Sequence, residues 1–280
     1  MKTFFTFFIF TFLLTHSTYG NEKKNDHYKI VDVEVTVDNS NYKALVYVPN
    51  ETKIKSILIL SATIGGVDAV EQLSAQFFSK HGYVVILPLP FLTELSKKNP
   101  DTEKLDADYL RPVASTALLI SFVENKLSLP KDLPLFAMGA SQGGIATLLL
   151  SASIPRIKAA WSVVAGGDLP HIYTRSKVAK IEEFRKNHKL TLGISDDSQY
   201  ENYLRANLKN DPAISCKEIK VPFVQVIALR DESVPTRTQE LLVEECPPHK
   251  VLRYNYNHTN GVLTTVLLRE KIKDFFEAAI

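Results

Sequence analysis

The sequence predicts an α/β fold in which a mostly parallel β-sheet is covered by helices on both faces and interrupted once by a helical insertion. Three observations predict it. From Ser56 onward, short runs that are apolar at every position alternate with longer amphipathic segments. Strands buried on both faces read in this way, because crossover helices cover each side of a parallel sheet. The alternation stops between about Leu169 and Ser215, where charged residues of both signs mix with scattered apolar ones, and then resumes.

The chain opens with Met1-Lys2 and the Phe-rich run TFFTFFIFTFLLT, followed by the small polar stretch HSTYG. Such a run is too short for a comfortable membrane span and carries the flanks of a secretory leader, with Thr18 and Gly20 as the small residues before a cleavage point. The expectation is a signal peptide over 1–20, a mature chain from Asn21, and a secreted or periplasmic protein with no stable membrane insertion after cleavage. An uncleaved membrane anchor is the alternative.

Next, IVDVEVTVDN and YKALVYVPN alternate apolar with polar residues around the turn formers Asn39-Ser40-Asn41, as an antiparallel pair does. SILILSA, YVVILPLPF, LPLFAMGAS and IKAAWSVVAG read as strands, with AVEQLSAQFFSKHG, YLRPVASTALLISFVENKL and GGIATLLLSASI as the helices between them. The stretch from HIYTRSKVAKIEEFRKNHKL to Ser215 reads as a helical insertion. VPFVQVIALR, TRTQELLVEE and KVLRYNYN then restore the rhythm, and GVLTTVLLREKIKDFFEAAI closes the chain with Leu268, Ile272, Phe275 and Phe276 on one helical stripe. One domain is therefore expected over 21–280, its core in 28–168 and 216–280 and its insertion in 169–215.

A hydrophobic content of 45% over 280 residues is enough to bury such a core. The 33 basic and 31 acidic side chains nearly cancel, and no Lys/Arg run is interleaved with aromatics, which argues against nucleic acid as a partner. Nothing in the pattern specifies an oligomer. The two cysteines, Cys216 and Cys246, stand at no metal-ligand spacing, so no structural metal is expected. Each shortly precedes a predicted strand; if those strands are neighbours a disulfide is geometrically reasonable, the alternative being two free buried thiols.

The chemistry-bearing stretch is Gly139-Ala140-Ser141-Gln142-Gly143, set between a predicted strand and a predicted helix. A serine on a sharp strand-to-helix turn needs very small residues two before and two after it, and this stretch supplies them. A hydroxyl becomes a nucleophile only with a histidine to take its proton, a carboxylate to orient that histidine, and amide donors for the oxyanion. In a parallel sheet the residues just after each strand gather at one edge. Asp231 follows VPFVQVIALR and His258 follows KVLRYNYN, so Ser141, Asp231 and His258 are the expected triad. Asp168 and Glu232 are the rival acids. Of the other histidines, His249 precedes its strand, His81 ends a helix, His171 and His188 belong to the insertion, and His16 and His27 lie near the start.

With the Gly-Ala-Ser-Gln-Gly turn, the Asp231-Glu232-Ser233-Val234-Pro235 run and the late His258 in place, the chain resembles the α/β-hydrolases. It is most similar to the small esterase and peptidase-like branch that includes dienelactone hydrolases and prolyl-oligopeptidase-type domains, and the resemblance covers essentially the whole mature chain. It implies an eight-stranded sheet whose second strand is antiparallel, acyl transfer through a covalent acyl-enzyme without a cofactor, and a small-molecule ester or short peptide as substrate. It also implies an oxyanion hole built from the amide after the nucleophile, Gln142, and a second amide in the loop after the third strand. Many relatives carry His-Gly-Gly-Gly there; this chain reads Ser61-Ala62-Thr63-Ile64-Gly65-Gly66, and Thr63 is expected as the donor ahead of Ile64. The insertion falls where relatives carry a cap, and Tyr173, Phe184, Tyr200 and Tyr203 either line the pocket or pack the cap on the core.

The expected activity is that of an exported serine hydrolase, a carboxylesterase. A peptidase or amidase on the same triad is the alternative within that class, and a hydrolase-fold binding protein without turnover is the alternative outside it. Asn257-His258-Thr259 matches a glycosylation sequon, and a glycan there would crowd His258, which suits an exporting cell that does not N-glycosylate.

Overall fold

The computed structural model describes residues 16–37, 40–50, 53–89 and 92–280. Nine strands form one sheet: β1 His16–Lys24, β2 Tyr28–Val37, β3 Ser40–Pro49, β4 Ser56–Ser61, β5 Tyr83–Pro88, β6 Leu135–Ala140, β7 Ile157–Val163, β8 Phe223–Ala228 and β9 Lys250–Tyr254. Their order is β1-β2-β3-β5-β4-β6-β7-β8-β9. From β5 through β4, β6, β7 and β8 to β9 every pair is parallel, and β3 is antiparallel to both β2 and β5. The eight strands implied by the resemblance are β2 to β9, with β3 as the antiparallel second.

The ninth strand corrects the expected count. Residues 16–20 of the expected leader and the polar Asn21–Lys24 together make β1, paired antiparallel with β2 from His16 opposite Thr36 to Lys24 opposite Lys29. The rest of the leader, 1–15, lies outside the described residues, as does the turn residue Asn39. Strand β1 escapes a hydropathy reading because an edge strand is held by its ladder of backbone hydrogen bonds and carries charge on its side chains. Glu22 sits 3.1 Å from the Lys24 ammonium and 3.7 Å from that of Lys29.

The strands β4, β5, β6 and β8 are buried almost throughout, the mark of a sheet covered on both faces. Helices α1 (Ala69–Lys80), α2 (Thr102–Asp108), α3 (Arg111–Lys126), α4 (Gln142–Ser153), α5 (Leu169–Arg175), α6 (Ala179–Leu192), α7 (Asp197–Asn207), α8 (Pro212–Ser215), α9 (Thr236–Glu245), α10 (His258–Leu267) and α11 (Arg269–Glu277) follow in chain order. One core joins Leu58, Leu60, Phe136 and Met138 of the sheet to Phe78 of α1 and Phe276 of α11, the last stacked on Phe136 at 4.7 Å. The other joins Ile57, Ile59, Val84 and Ile86 to Leu119 and Val123 of α3 and Leu150 of α4. Among the described residues no helix is long and apolar enough to cross a membrane.

Helices α5 to α8 lie between β7 and β8, and their Tyr173, Phe184, Tyr200 and Leu204 join one hydrophobic cluster with Leu105 of α2, Ile145, Leu148 and Leu149 of α4 and Leu242 of α9. Both ends of this segment meet at Asp211, whose carboxylate accepts the amides of Asp168 at 3.0 Å and Leu169 at 2.5 Å. Asp106 of α2 accepts the amides of Lys209 and Asn210. Cys216 and Cys246 are joined as a disulfide with their Cα atoms 5.8 Å apart, ahead of the neighbouring strands β8 and β9, so neither thiol is free.

His188 of α6 is fully buried between Thr102 Oγ1 and the Tyr200 hydroxyl, each at 2.9 Å. Burial pushes its pKa down to about 4, against the pull of the Asp101 and Glu94 carboxylates. The folded state therefore favours neutral imidazole: its contribution is complete above the unfolded pKa near 6.5 and is lost as pH falls toward 4. Urea denaturation at pH 7 and pH 4.5 should show this group accounting for on the order of 2 kcal/mol of acid destabilisation. His188→Gln should lose correspondingly less than wild type over the same interval; an equal loss would assign the effect to other groups.

Candidate active site

Strand β6 ends at Ala140 and helix α4 begins at Gln142, which leaves Ser141 alone on the turn between them with φ 56° and ψ −122°. Few L-residues adopt positive φ, and this one is held by its amide donating to the Val163 carbonyl of β7 at 2.8 Å. The glycines around it are a steric requirement. A Cβ on Gly139 would collide with the Gly143 carbonyl and stand 2.8 Å from the Ser61 oxygen. A Cβ on Gly143 would in turn collide with the Ser61 carbonyl and stand 2.8 Å from that of Ala62.

The three expected residues come together in a hydrogen-bonded chain. The His258 Nε2 lies 3.0 Å from Ser141 Oγ, and its Nδ1 lies 2.7 Å from Asp231 Oδ2. Because a carboxylate only accepts, Nδ1–H donates to Asp231 and leaves Nε2 as the acceptor facing the serine hydroxyl. His258 is placed by the start of α10, where the Asn257 side chain caps the helix by accepting the Asn260 amide. Asp231 is buried and its Oδ1 accepts the amides of Ser233 and Val234, both at 2.8 Å.

Sequence reasoning missed a fourth member of this group. Gln239 of α9, fully buried, donates its Nε2–H to Asp231 Oδ2 at 2.9 Å and to the Val234 carbonyl at 2.7 Å, while its Oε1 accepts the Ala228 amide. Asp231 thus has four donors around two oxygens and a fixed orientation. A glutamine in the middle of an amphipathic helix gives no sequence signal for this.

The rival acids are engaged elsewhere. Asp168 pairs with Arg205 at 2.9 Å, and Glu232 pairs with Lys177 at 2.8 Å at the surface. Asp168, His171 and Glu201 lie close enough to share a cation, but the Arg205 guanidinium already pairs with both carboxylates, at 2.9 and 3.1 Å. That guanidinium supplies the positive charge the cluster calls for.

The expected oxyanion loop needs a correction. The Thr63 amide, the expected donor, instead donates to Glu71 Oε1 at 3.0 Å and is taken up inside the protein. Glu71 is the third residue of α1 and forms a capping box with Asp68, whose own amide donates to Glu71 Oε2 at 3.1 Å. Burial, with the Asp68 carboxyl beside it, pushes the Glu71 pKa up to about 7, while the amides it accepts pull the other way. The Asp-x-x-Glu spacing ahead of an apolar run was a legible signal for this cap. Ile64, next in the loop, borders the same small cavity as Ser141 and Gln142. Gln142 is the first residue of α4, where backbone amides have no intrahelical acceptor and the helix dipole favours negative charge. Of the four aromatic residues of the insertion, Tyr173 borders this cavity, Phe184 and Tyr200 pack inside the insertion, and the Tyr203 hydroxyl meets Thr102.

The sequence matches no family model and no curated protein. Solved structures do resemble this one. An acetyl xylan esterase from Paenibacillus sp. R4 superposes with a TM-score of 0.71 at 16% identity, over 95% of this chain and 89% of that one. Acetyl xylan esterase 1 from Thermoanaerobacterium sp. JW/SL YS485 gives 0.65 at 16% identity, over 89% and 87%. An acylaminoacyl peptidase from Pyrococcus horikoshii gives 0.65 at 13% identity, over 90% of this chain but only 42% of its own. At such identities the likeness is one of fold.

Proposed function

We propose that this chain, an α/β-hydrolase by its fold, is a serine hydrolase that cleaves carboxylic esters through Ser141, His258 and Asp231. The observation that carries this reading is the unbroken chain Oγ–Nε2–Nδ1–Oδ2, with both hydrogen bonds at 3.0 Å or less. His258 Nε2 takes the proton of Ser141 as Oγ bonds to the ester carbonyl carbon, and the electron pair of the carbonyl moves onto its oxygen. Asp231 holds the imidazole in the tautomer that this transfer needs and stabilises the imidazolium. The oxyanion is met by the Gln142 amide at the head of α4 and by the Ile64 amide opposite. As the tetrahedral species collapses, the bond to the alcohol oxygen breaks and Nε2–H gives its proton to that oxygen. Water then attacks the acyl-enzyme with His258 again as base, which regenerates Ser141 and frees the acid.

An amide would follow the same path with an amine leaving, so a peptidase is the neighbouring reading. Export is part of the proposal: a leader over 1–20, whose cleavage falls inside β1 and leaves 21–24 on the edge of the sheet, directs the chain to an oxidising compartment, where the bond between Cys216 and Cys246 persists. A fluorophosphonate probe should label the purified protein on the peptide that carries Ser141. Intact, folded protein left unlabelled would remove the proposal.

A further inference from the structure

A cavity of about 30 Å³ opens against Ser141 and Gln142 and runs beneath α5 and α6. Its walls are mostly apolar and carry no charged side chain: Ile64, Ile145, Leu169, Ile172 and Ile181 supply most of them, Tyr109 and Tyr173 close one side, and Ser233 and Val234 of the loop after Asp231 border it as well. The leaving-group oxygen must receive its proton from His258 Nε2, so the alcohol of a bound ester lies on the His258 side of Ser141. His258 does not border this cavity, whereas Gln142, the proposed oxyanion donor, does. The cavity therefore receives the other half of the substrate, the carbon chain of the acyl group.

Its size limits that chain. A cavity of about 150 Å³ takes one benzene ring, so one of about 30 Å³ has room for only one or two heavy atoms beyond the serine oxygen. The wall is braced against retreat. The Tyr109 and Tyr173 hydroxyls bond to each other at 2.7 Å, both rings are buried, and Phe184 packs behind Tyr173 with ring centroids 5.2 Å apart. Moving Tyr173 outward would break a buried hydrogen bond and open a void in the hydrophobic cluster around it.

Resting on the serine-hydrolase reading above, we infer that the enzyme is a short-acyl hydrolase that accepts acetyl and, less well, propionyl groups, with Ile172 and Ile181 setting the limit. The walls bear no charge that would bind a carboxylate or ammonium on the acyl side, so the acyl group is also uncharged.

The test is kcat/KM for p-nitrophenyl acetate, butyrate and octanoate, which share one leaving group, normalised to sites titrated by fluorophosphonate. Wild type should prefer acetate over butyrate by roughly 10-fold or more and should scarcely use octanoate, since each surplus methylene in a tight apolar pocket is worth about 10–200-fold. Ile172→Ala should raise the butyrate-to-acetate ratio by about 10-fold or more, and Ile181→Ala, on a different helix, provides the same test should the first variant fold poorly. Wild-type use of octanoate at the rate of acetate overturns the inference while leaving the hydrolase reading in place. So does an unchanged ratio in the folded variants. Absence of both labelling and turnover overturns the hydrolase reading and the inference together.

Discussion

A His258→Ala variant should lose about 10⁵–10⁶-fold in kcat on p-nitrophenyl acetate, because a triad acts as a unit and removing its base costs nearly as much as removing the whole. The Nε2 atom at 3.0 Å is the acceptor facing Ser141 Oγ, and among the described residues no other histidine hydrogen-bonds to Ser141. Asp231→Asn should cost about 10⁴-fold, for a reason specific to this site. Each oxygen of Asp231 faces two donors: the Ser233 and Val234 amides on Oδ1, and Gln239 Nε2–H and His258 Nδ1–H on Oδ2. A carboxamide NH₂ in either orientation sets donor against donor. The site can relieve the clash by turning His258 to its other tautomer, which puts a proton on Nε2 and removes the base. Both variants should keep the thermal transition within a few degrees of wild type. Turnover within tenfold of wild type in either variant would sink the triad assignment.

The second large effect comes from a residue with no chemistry of its own. Gly143→Ala places a methyl group against the Ser61 and Ala62 carbonyls, backbone atoms at the end of β4 that cannot rotate aside as a side chain would. Helix α4 and the loop after β4 must then separate. These two elements carry the Gln142 and Ile64 amides, so the proposed oxyanion hole widens as the core loosens. A stability loss of about 2–4 kcal/mol is expected in urea denaturation. Misplacement by about 1 Å should cost about 10²-fold in kcat per titrated site. Gly193→Ala is the control: Gly193 has φ +67° and open space around it, so it should lose only about 1 kcal/mol and no activity. If Gly143→Ala behaves like that control, the close approach at Ser61 does not hold.

The strands β4 to β8 could be read in the sequence because burial leaves a mark on residue type, a strand covered on both faces having no polar position to spare, and β2 and β3 because one buried face leaves an alternation. Ser141, Asp231 and His258 were legible for a topological reason, since each follows its own strand and the strand ends share one edge. Strand β1 was hidden because its pairing is a backbone property, and Glu22, Lys23 and Lys24 look like a solvated start. That the Thr63 amide turns inward to Glu71 was hidden in the same way, because the direction of an N–H is set by loop geometry. Here that geometry depends on the buried carboxylate of Glu71. Gln239 was invisible for a third reason: its role is to complete the coordination of another residue, and only the packing of α9 on β8 brings it there.

The carboxylate of Asp211 has a consequence for how such a molecule diversifies. The segment between β7 and β8 departs at Asp168 and returns at Asp211, and one side chain clasps both ends by accepting the Asp168 and Leu169 amides. The two ends of 169–210 are thereby held side by side ahead of α8 and β8, so the length and contents of the stretch between them can vary while its ends stay fixed. The proposed triad, Ser141, His258 and Asp231, stands outside this segment, while Leu169, Ile172, Tyr173 and Ile181, which border the cavity beside Ser141, belong to it. Part of the cavity wall and the proposed triad therefore lie on separate stretches of the chain, and exchange of 169–210 for the corresponding stretch of another protein of this fold should change acyl preference while leaving Ser141, Asp231 and His258 in place.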